Sequence, residues 1–217
     1  MTKELIEKPI IIAICGKSAV GKDTLANFLT DTFSSYNLKA HNMISVTTRP
    51  RRKNEQDKKD YYFINEQQFQ YLVDNQKLIE HTHFRSWKYG VPFNEIKKGE
   101  INIGVFNLEG LDSLQRNKYE YTVIPVYLKE KLTVRLRRSR DREGRWRIEH
   151  FRRAFSDWID FYKAEKRYLS KLNNGRYIVL KQVNGVWRQS NQIITYLERW
   201  GILKRVGKKE MRLGNFV

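Results

Sequence analysis

Cys15-Gly16-Lys17-Ser18-Ala19-Val20-Gly21-Lys22-Asp23-Thr24 fits the pattern G-x-x-x-x-G-K, a loop that cradles phosphate, and its flanks decide the fold. Before it runs Pro9-Ile10-Ile11-Ile12-Ala13-Ile14, an apolar, β-branched stretch of buried-strand length. After it Leu25, Phe28, Leu29 and Phe33 recur at helical spacing. Strand, glycine loop and helix therefore come in the order a nucleoside triphosphate site requires. Gly16 and Gly21 can take backbone angles closed to other residues. The N–H groups of Lys17, Ser18, Ala19 and Val20 can then turn onto an anion, and the helix N-terminus adds its positive dipole end. Lys22 supplies a mobile point charge for the β- and γ-phosphates. Asp23 stands where the pattern has a Ser or Thr hydroxyl on magnesium. A carboxylate there would repel phosphate unless a metal lay between them, so Mg²⁺ is expected to be obligatory, held by Asp23 with Thr24 as a substitute hydroxyl. A strand-to-helix turn with a coincidental lysine would share the glycines, but not the whole ordered context.

A chain of 217 residues is long enough for one α/β domain with insertions. Its single cysteine, Cys15, lies in the apolar strand, which excludes an internal disulfide framework, suits a reducing cytoplasm and reads as core filler. No apolar run approaches the roughly 18–20 residues of a membrane span, and Glu4 and Glu7 do not suit a signal peptide. A soluble cytoplasmic protein with no membrane partner is expected. The net charge of +18 is uneven: residues 1–110 carry 16 Lys/Arg against 13 Asp/Glu, residues 111–217 carry 26 against 11. Nine arginines fall between Arg135 and Arg153. A solvated helix face mixes signs, so this density reads as an anion-facing segment, and it leaves nucleic acid open as a partner beside nucleotide phosphate.

Along the chain, strands alternate with helices. Strands are expected at 9–15, about 39–45, 101–107, 122–128 and 176–181, and helices at 23–34, 110–116, 130–172 and 187–200, with an inserted region at about 46–98. This implies an α/β fold, a parallel central sheet covered on both faces, with ligands at the carboxyl ends of the strands. The segment after Leu203, with Lys204, Arg205, Lys208, Lys209 and Arg212, is expected to be a flexible or loosely docked basic tail.

Ser45-Val46-Thr47-Thr48-Arg49-Pro50-Arg51-Arg52, followed by Asp60-Tyr61-Tyr62-Phe63, then Leu78-Ile79-Glu80 and Tyr89-Gly90, resembles the hallmark of guanylate kinases. The resemblance runs without gaps from Ser45 to Gly90. It implies the three-layer fold of P-loop NTPases, with a core at 1–45 and 99–203, an inserted acceptor-nucleotide subdomain at 46–98, an arginine-rich lid near 138–150 and a basic tail at 204–217. It implies ATP, with Mg²⁺, as phosphoryl donor and a nucleoside monophosphate, GMP or dGMP, as acceptor. Ser45, Arg49, Arg52, Tyr61 and Tyr89 would grip the acceptor phosphate and Glu80 would read guanine. Chemistry fits independently: two arginines three apart beside a tyrosine hydroxyl suit a phosphate dianion, and a carboxylate can accept guanine's adjacent N1–H and N2–H. The resemblance also points to Arg138, Arg142 and Arg153 as arginines acting on the transferring phosphate. Asn184 would meet the donor adenine, although Asn184-Gly185 reads equally as a turn.

Three positions leave the pattern. Val91 stands where the family has a Ser or Thr that touches the guanine carbonyl, and Val105 and Asn107 stand at its Asp-x-Asp. The metal shell and base recognition are therefore both expected to differ, with Asp23 replacing a lost carboxylate. Asp23, Tyr-Gly-Val and Asn107 are also similar to ribose 1,5-bisphosphate kinases, and Lys-Asp-Thr to phage-type deoxynucleoside monophosphate kinases. A non-catalytic guanylate-kinase-like interaction module and a nucleic-acid-binding ATPase or kinase, with Tyr119, Tyr121, Trp146, Trp158 and Trp187 as stacking candidates, are the readings from other classes.

Overall fold

The computed structural model describes residues 8–84, 86–116, 120–143, 151, 155, 177–180, 185–207 and 210–213. In chain order its elements are β1 (Ile10–Gly16), α1 (Lys22–Ser35), β2 (Ala40–Asn42), β3 (Val46–Thr47), β4 (Tyr62–Phe63), α2 (Glu66–Asp74), β5 (Leu78–Phe84) and β6 (Trp87–Pro92). There follow β7 (Ile101–Phe106), α3 (Leu108–Arg116), β8 (Thr122–Leu128), α4 (Leu132–Glu143), β9 (Ile178–Leu180), α5 (Val186–Arg199), β10 (Leu203–Gly207) and β11 (Glu210–Leu213).

The isoleucine-rich run makes β1 the middle of a parallel sheet of order β2-β7-β1-β8-β9, where both faces of a strand are covered and no polar alternation is needed. Alternate residues of β1 serve two cores. Ile10, Ile12 and Ile14 pack with Leu25, Leu29 and Phe33 of α1 and with Ile193, Ile194 and Leu197 of α5. Ile11, Ala13 and Cys15 pack on the opposite face with Leu108, Leu111 and Leu114 of α3. Helix, sheet and helix thus form three layers. Burial pushes the Cys15 thiol up to about 12, against a smaller opposing pull from Lys22, so it stays a neutral packing group.

Residues 46–92 carry a second sheet of order β4-β3-β6-β5, with β3 parallel to β4 and antiparallel to β6. Glu95 ties it to the main sheet. Its Oε2 accepts the Ile44 N–H at 2.8 Å on the way into the small sheet, its Oε1 accepts the Tyr62 hydroxyl at 2.9 Å, and its backbone carbonyl meets the His41 ring at 2.8 Å.

The basic stretch after Leu203 departs from the expectation of a loose tail. β10 and β11 pair as an antiparallel hairpin, and the Met211 N–H donates to the Tyr36 carbonyl at the end of α1. Ile202, Leu203 and Met211 are buried in the α1–α5 core. The physical reason is that a few apolar side chains spaced among the charges, Leu203 and Met211, suffice to dock the hairpin, while Lys204 stays exposed.

Candidate active site

The phosphate loop leaves β1 at Gly16, whose φ is +152°; a Cβ there would lie 2.7 Å from the Leu128 carbonyl oxygen, so only glycine fits. Gly21 caps α1 at φ 101°. Lys22 at the start of α1 bends back over the loop, its Nζ donating to the Gly16 carbonyl at 2.9 Å and the Lys17 carbonyl at 3.3 Å. α4 supplies two arginines to the same loop. Arg135 Nε donates to the Ser18 carbonyl and Arg138 Nη1 to the Val20 carbonyl, both at 2.9 Å, and Arg138 lies 3.5 Å from Glu130. Three residues apart on a helix, the two share a face. Asp23 and Thr24 are exposed in the first turn of α1. Arg142 falls in the last turn of α4, with its side chain outside the described ones; Arg153 and Asn184, and Tyr119, Trp146 and Trp158, lie outside the described residues.

The Ser45–Arg52 segment and β4 gather a candidate anion cradle. Arg49 is only 8% exposed, and its Nη2 donates to Glu55 Oε1 at 2.9 Å. Arg52 Nη1 reaches the same oxygen at 3.2 Å, while the Arg52 N–H donates to Glu55 Oε2 at 2.9 Å. The Arg49 guanidinium lies 5.4 Å from the centre of the Tyr61 ring, which meets Tyr89 edge-on at 6.1 Å. Burial disfavours charge on both Arg49 and Glu55, but their mutual hydrogen bond and attraction win. Arg49 is held above its ordinary value and Glu55 below. Burial first, then the charge of Asp23, push the Tyr61 hydroxyl well above the usual tyrosine range. Ser45 leads into β3, its carbonyl accepting the Tyr62 N–H at 2.9 Å.

A second wall stands on β5 and β6. Glu80 is 6% exposed, and among the described residues its carboxyl has no hydrogen-bond partner; burial alone pushes it up to about 8. Val91, its cross-strand neighbour, is 1% exposed and belongs to the core. Asn107 precedes α3 and caps it, its Oδ1 accepting the Gly110 N–H at 2.7 Å while its Nδ2 donates to Thr82 Oγ1 at 2.9 Å. Val105 sits on β7 opposite Ile14.

Two contributors escaped the sequence pattern: Arg135 braces the loop, and Thr82 meets Asn107 beside Glu80. Glu55, which bridges both arginines, did not, since it falls where the resembled family has an acidic residue. Arg135 was one arginine among nine; Thr82 carried no signal.

A family model described as guanylate kinase matches residues 7–156 of this chain. The chain belongs to the guanylate kinase family. Family membership makes the chain a nucleoside monophosphate kinase by class. The guanylate kinase of Anaplasma phagocytophilum is 31% identical over 133 residues, 59% of this chain and 61% of that protein. The guanylate kinase of Chlamydia pneumoniae is 28% identical over 180 residues, 81% of this chain and 86% of its own length. A crystal structure of guanylate kinase from Anaplasma phagocytophilum superposes with a TM-score of 0.61 at 21% identity, covering 95% of this chain and 92% of that one, which shows the shared fold.

Proposed function

We propose that this chain transfers the γ-phosphoryl group of ATP to GMP or dGMP, giving the diphosphate and ADP. The Glu80 carboxyl carries this reading: it is buried and, among the described residues, has no hydrogen-bond partner, in a wall beside the cradle of Arg49, Tyr61 and Tyr89. A buried polar group without a partner costs free energy unless a ligand completes it, and guanine presents two adjacent donors to a carboxylate.

In this mechanism Lys22 exchanges the Gly16 and Lys17 carbonyls for β- and γ-phosphate oxygens. Arg49 and Arg52, already held in place by Glu55, fix the acceptor phosphate with Tyr61 and Tyr89. Glu80 binds the base as a carboxylate and gives up its proton as guanine enters. An oxygen of the acceptor phosphate attacks the γ-phosphorus in line while the bond to the bridging β–γ oxygen breaks and ADP leaves. Positioning and positive charge do the catalytic work, and Arg138 at the loop contributes charge. Mg²⁺, when bound, neutralises charge on the β- and γ-phosphates. Asp23, with Thr24 beside it, offers the one carboxylate that Mg²⁺ commonly combines with phosphates. The insertion at 46–98 is the part that would close over the two nucleotides; of the lid expected at about 138–150, residues 144–150 lie outside the described residues.

The test is a coupled assay with ATP and Mg²⁺ against ribo- and deoxyribonucleoside monophosphates and ribose 1,5-bisphosphate. GMP and dGMP are expected to turn over fastest, and Lys22→Ala to lower kcat about a hundredfold or more. Preference for ribose 1,5-bisphosphate, or no turnover at all, overturns the reading. Asp23→Ser is expected to raise the Mg²⁺ concentration at half-maximal rate; an unchanged dependence removes Asp23 from the metal site.

A further inference from the structure

The register of β5 and β6 sets Glu80 across from Val91 and Thr82 across from Tyr89. Residues directly opposite each other, and alternate residues along one strand, share a face, so these four side chains form one patch. Thr82 is 8% exposed, and Asn107 Nδ2 donates to its Oγ1 at 2.9 Å. The orientation of that amide is forced. Asn107 Oδ1 accepts the Gly110 N–H at 2.7 Å, and because a backbone N–H can only donate, the amide nitrogen must face Thr82. With its oxygen already accepting, the Thr82 hydroxyl keeps its proton to give, and no acceptor for it occurs among the described residues. The same elements converge on Glu80. A Cβ on Gly110 would lie 2.6 Å from Glu80 Oε2 and 3.1 Å from Asn107 Oδ1. An aspartate at 107 would act in the opposite sense, since its second oxygen would take the Thr82 proton.

Guanine presents N1–H and N2–H beside a carbonyl oxygen, O6. A carboxylate at Glu80 answers the two donors; O6 still needs a donor, and Val91 has none. We propose that Thr82 donates its hydroxyl proton to O6 of the acceptor base, with Asn107 as the positioning residue that turns that proton into the pocket. This deepens the guanylate reading and rests on it. Selection for a 6-oxopurine is thereby moved from β6 to the neighbouring strand, and Asn107 is an amide because only an amide leaves Thr82 a donor.

The test measures KM and kcat for GMP in the full chain, together with the competition constant of 2-aminopurine riboside 5′-monophosphate, which keeps the 2-amino group and lacks O6. Thr82→Val and Asn107→Asp are each expected to raise the GMP KM about ten- to a hundredfold, with kcat changed less than about twofold. The 2-aminopurine constant should not move. Adding Val91→Ser to Thr82→Val should restore the GMP KM, which a merely structural loss at Thr82 would not permit. Thr82→Val matching the wild type in GMP KM, or weakening GMP and 2-aminopurine nucleotide equally, overturns the assignment. If the wild-type chain itself neither binds nor phosphorylates GMP, the guanylate reading fails and this inference with it. A wild type active on GMP beside an equally active Thr82→Val sinks Thr82 alone.

Discussion

At the residue scale, Glu80 trades stability for recognition. Its carboxyl holds a proton up to about pH 8 in the folded chain, against an ordinary value of 4.5. The folded state therefore binds the proton more tightly than the unfolded one. The stability this contributes is full below about pH 4.5 and is lost as pH rises towards 8, by an amount on the order of 4 kcal/mol. Glu80→Gln, which cannot ionise, is expected to melt higher than the wild type at pH 8 and to match it more closely at pH 5, while losing turnover of GMP. A melting-temperature difference that does not grow with pH would remove Glu80 as the source. The sequence showed this carboxylate as one residue of a strand pattern, but not its isolation, because isolation is a property of the groups around it. Thr82 and Asn107 meet although 25 residues separate them, and nothing near either residue announces the other.

At the scale of elements, the loop between β1 and α1 was the most legible part of the chain because all its signals are local: an apolar run, two glycines, a lysine and a helical repeat. What holds that loop was not legible. Arg135 reaches Ser18 across 117 positions of sequence, and the arginine-rich run concealed which of its members turn towards the loop. Within the described part of α4, periodicity puts Arg135 and Arg138 on the face that meets the loop. They are expected to differ in consequence. Arg135 is 6% exposed, so Arg135→Met should remove its brace on the Ser18 carbonyl, lower the melting temperature and raise the KM for ATP. Arg138, half exposed in its side chain, should lose mainly kcat as Arg138→Ala, by about a hundredfold, with little change in melting. Equal stability losses from the two would contradict this division.

At the scale of the whole molecule, the parallel sheet and its two helical layers followed from the alternation of strand and helix patterns, whereas the closing hairpin did not, because its basic residues outnumber the apolar ones that dock it. Removing residues 203–217 should cost about 3–6 kcal/mol, from the burial of Leu203 and Met211, and lower the melting temperature accordingly. A truncated chain that melts with the full one would show the hairpin to be ornamental. The strand order has a further consequence, for the chain's birth. β1 is made first, yet Ile10 pairs with Ile101 on one side and Thr122 on the other. During synthesis its isoleucines must wait, unpaired and sticky, until most of the first half and the start of the second have left the ribosome. The most apolar segment of the protein is thus also the one exposed longest, and the nascent chain is an expected client of chaperones that hold hydrophobic segments.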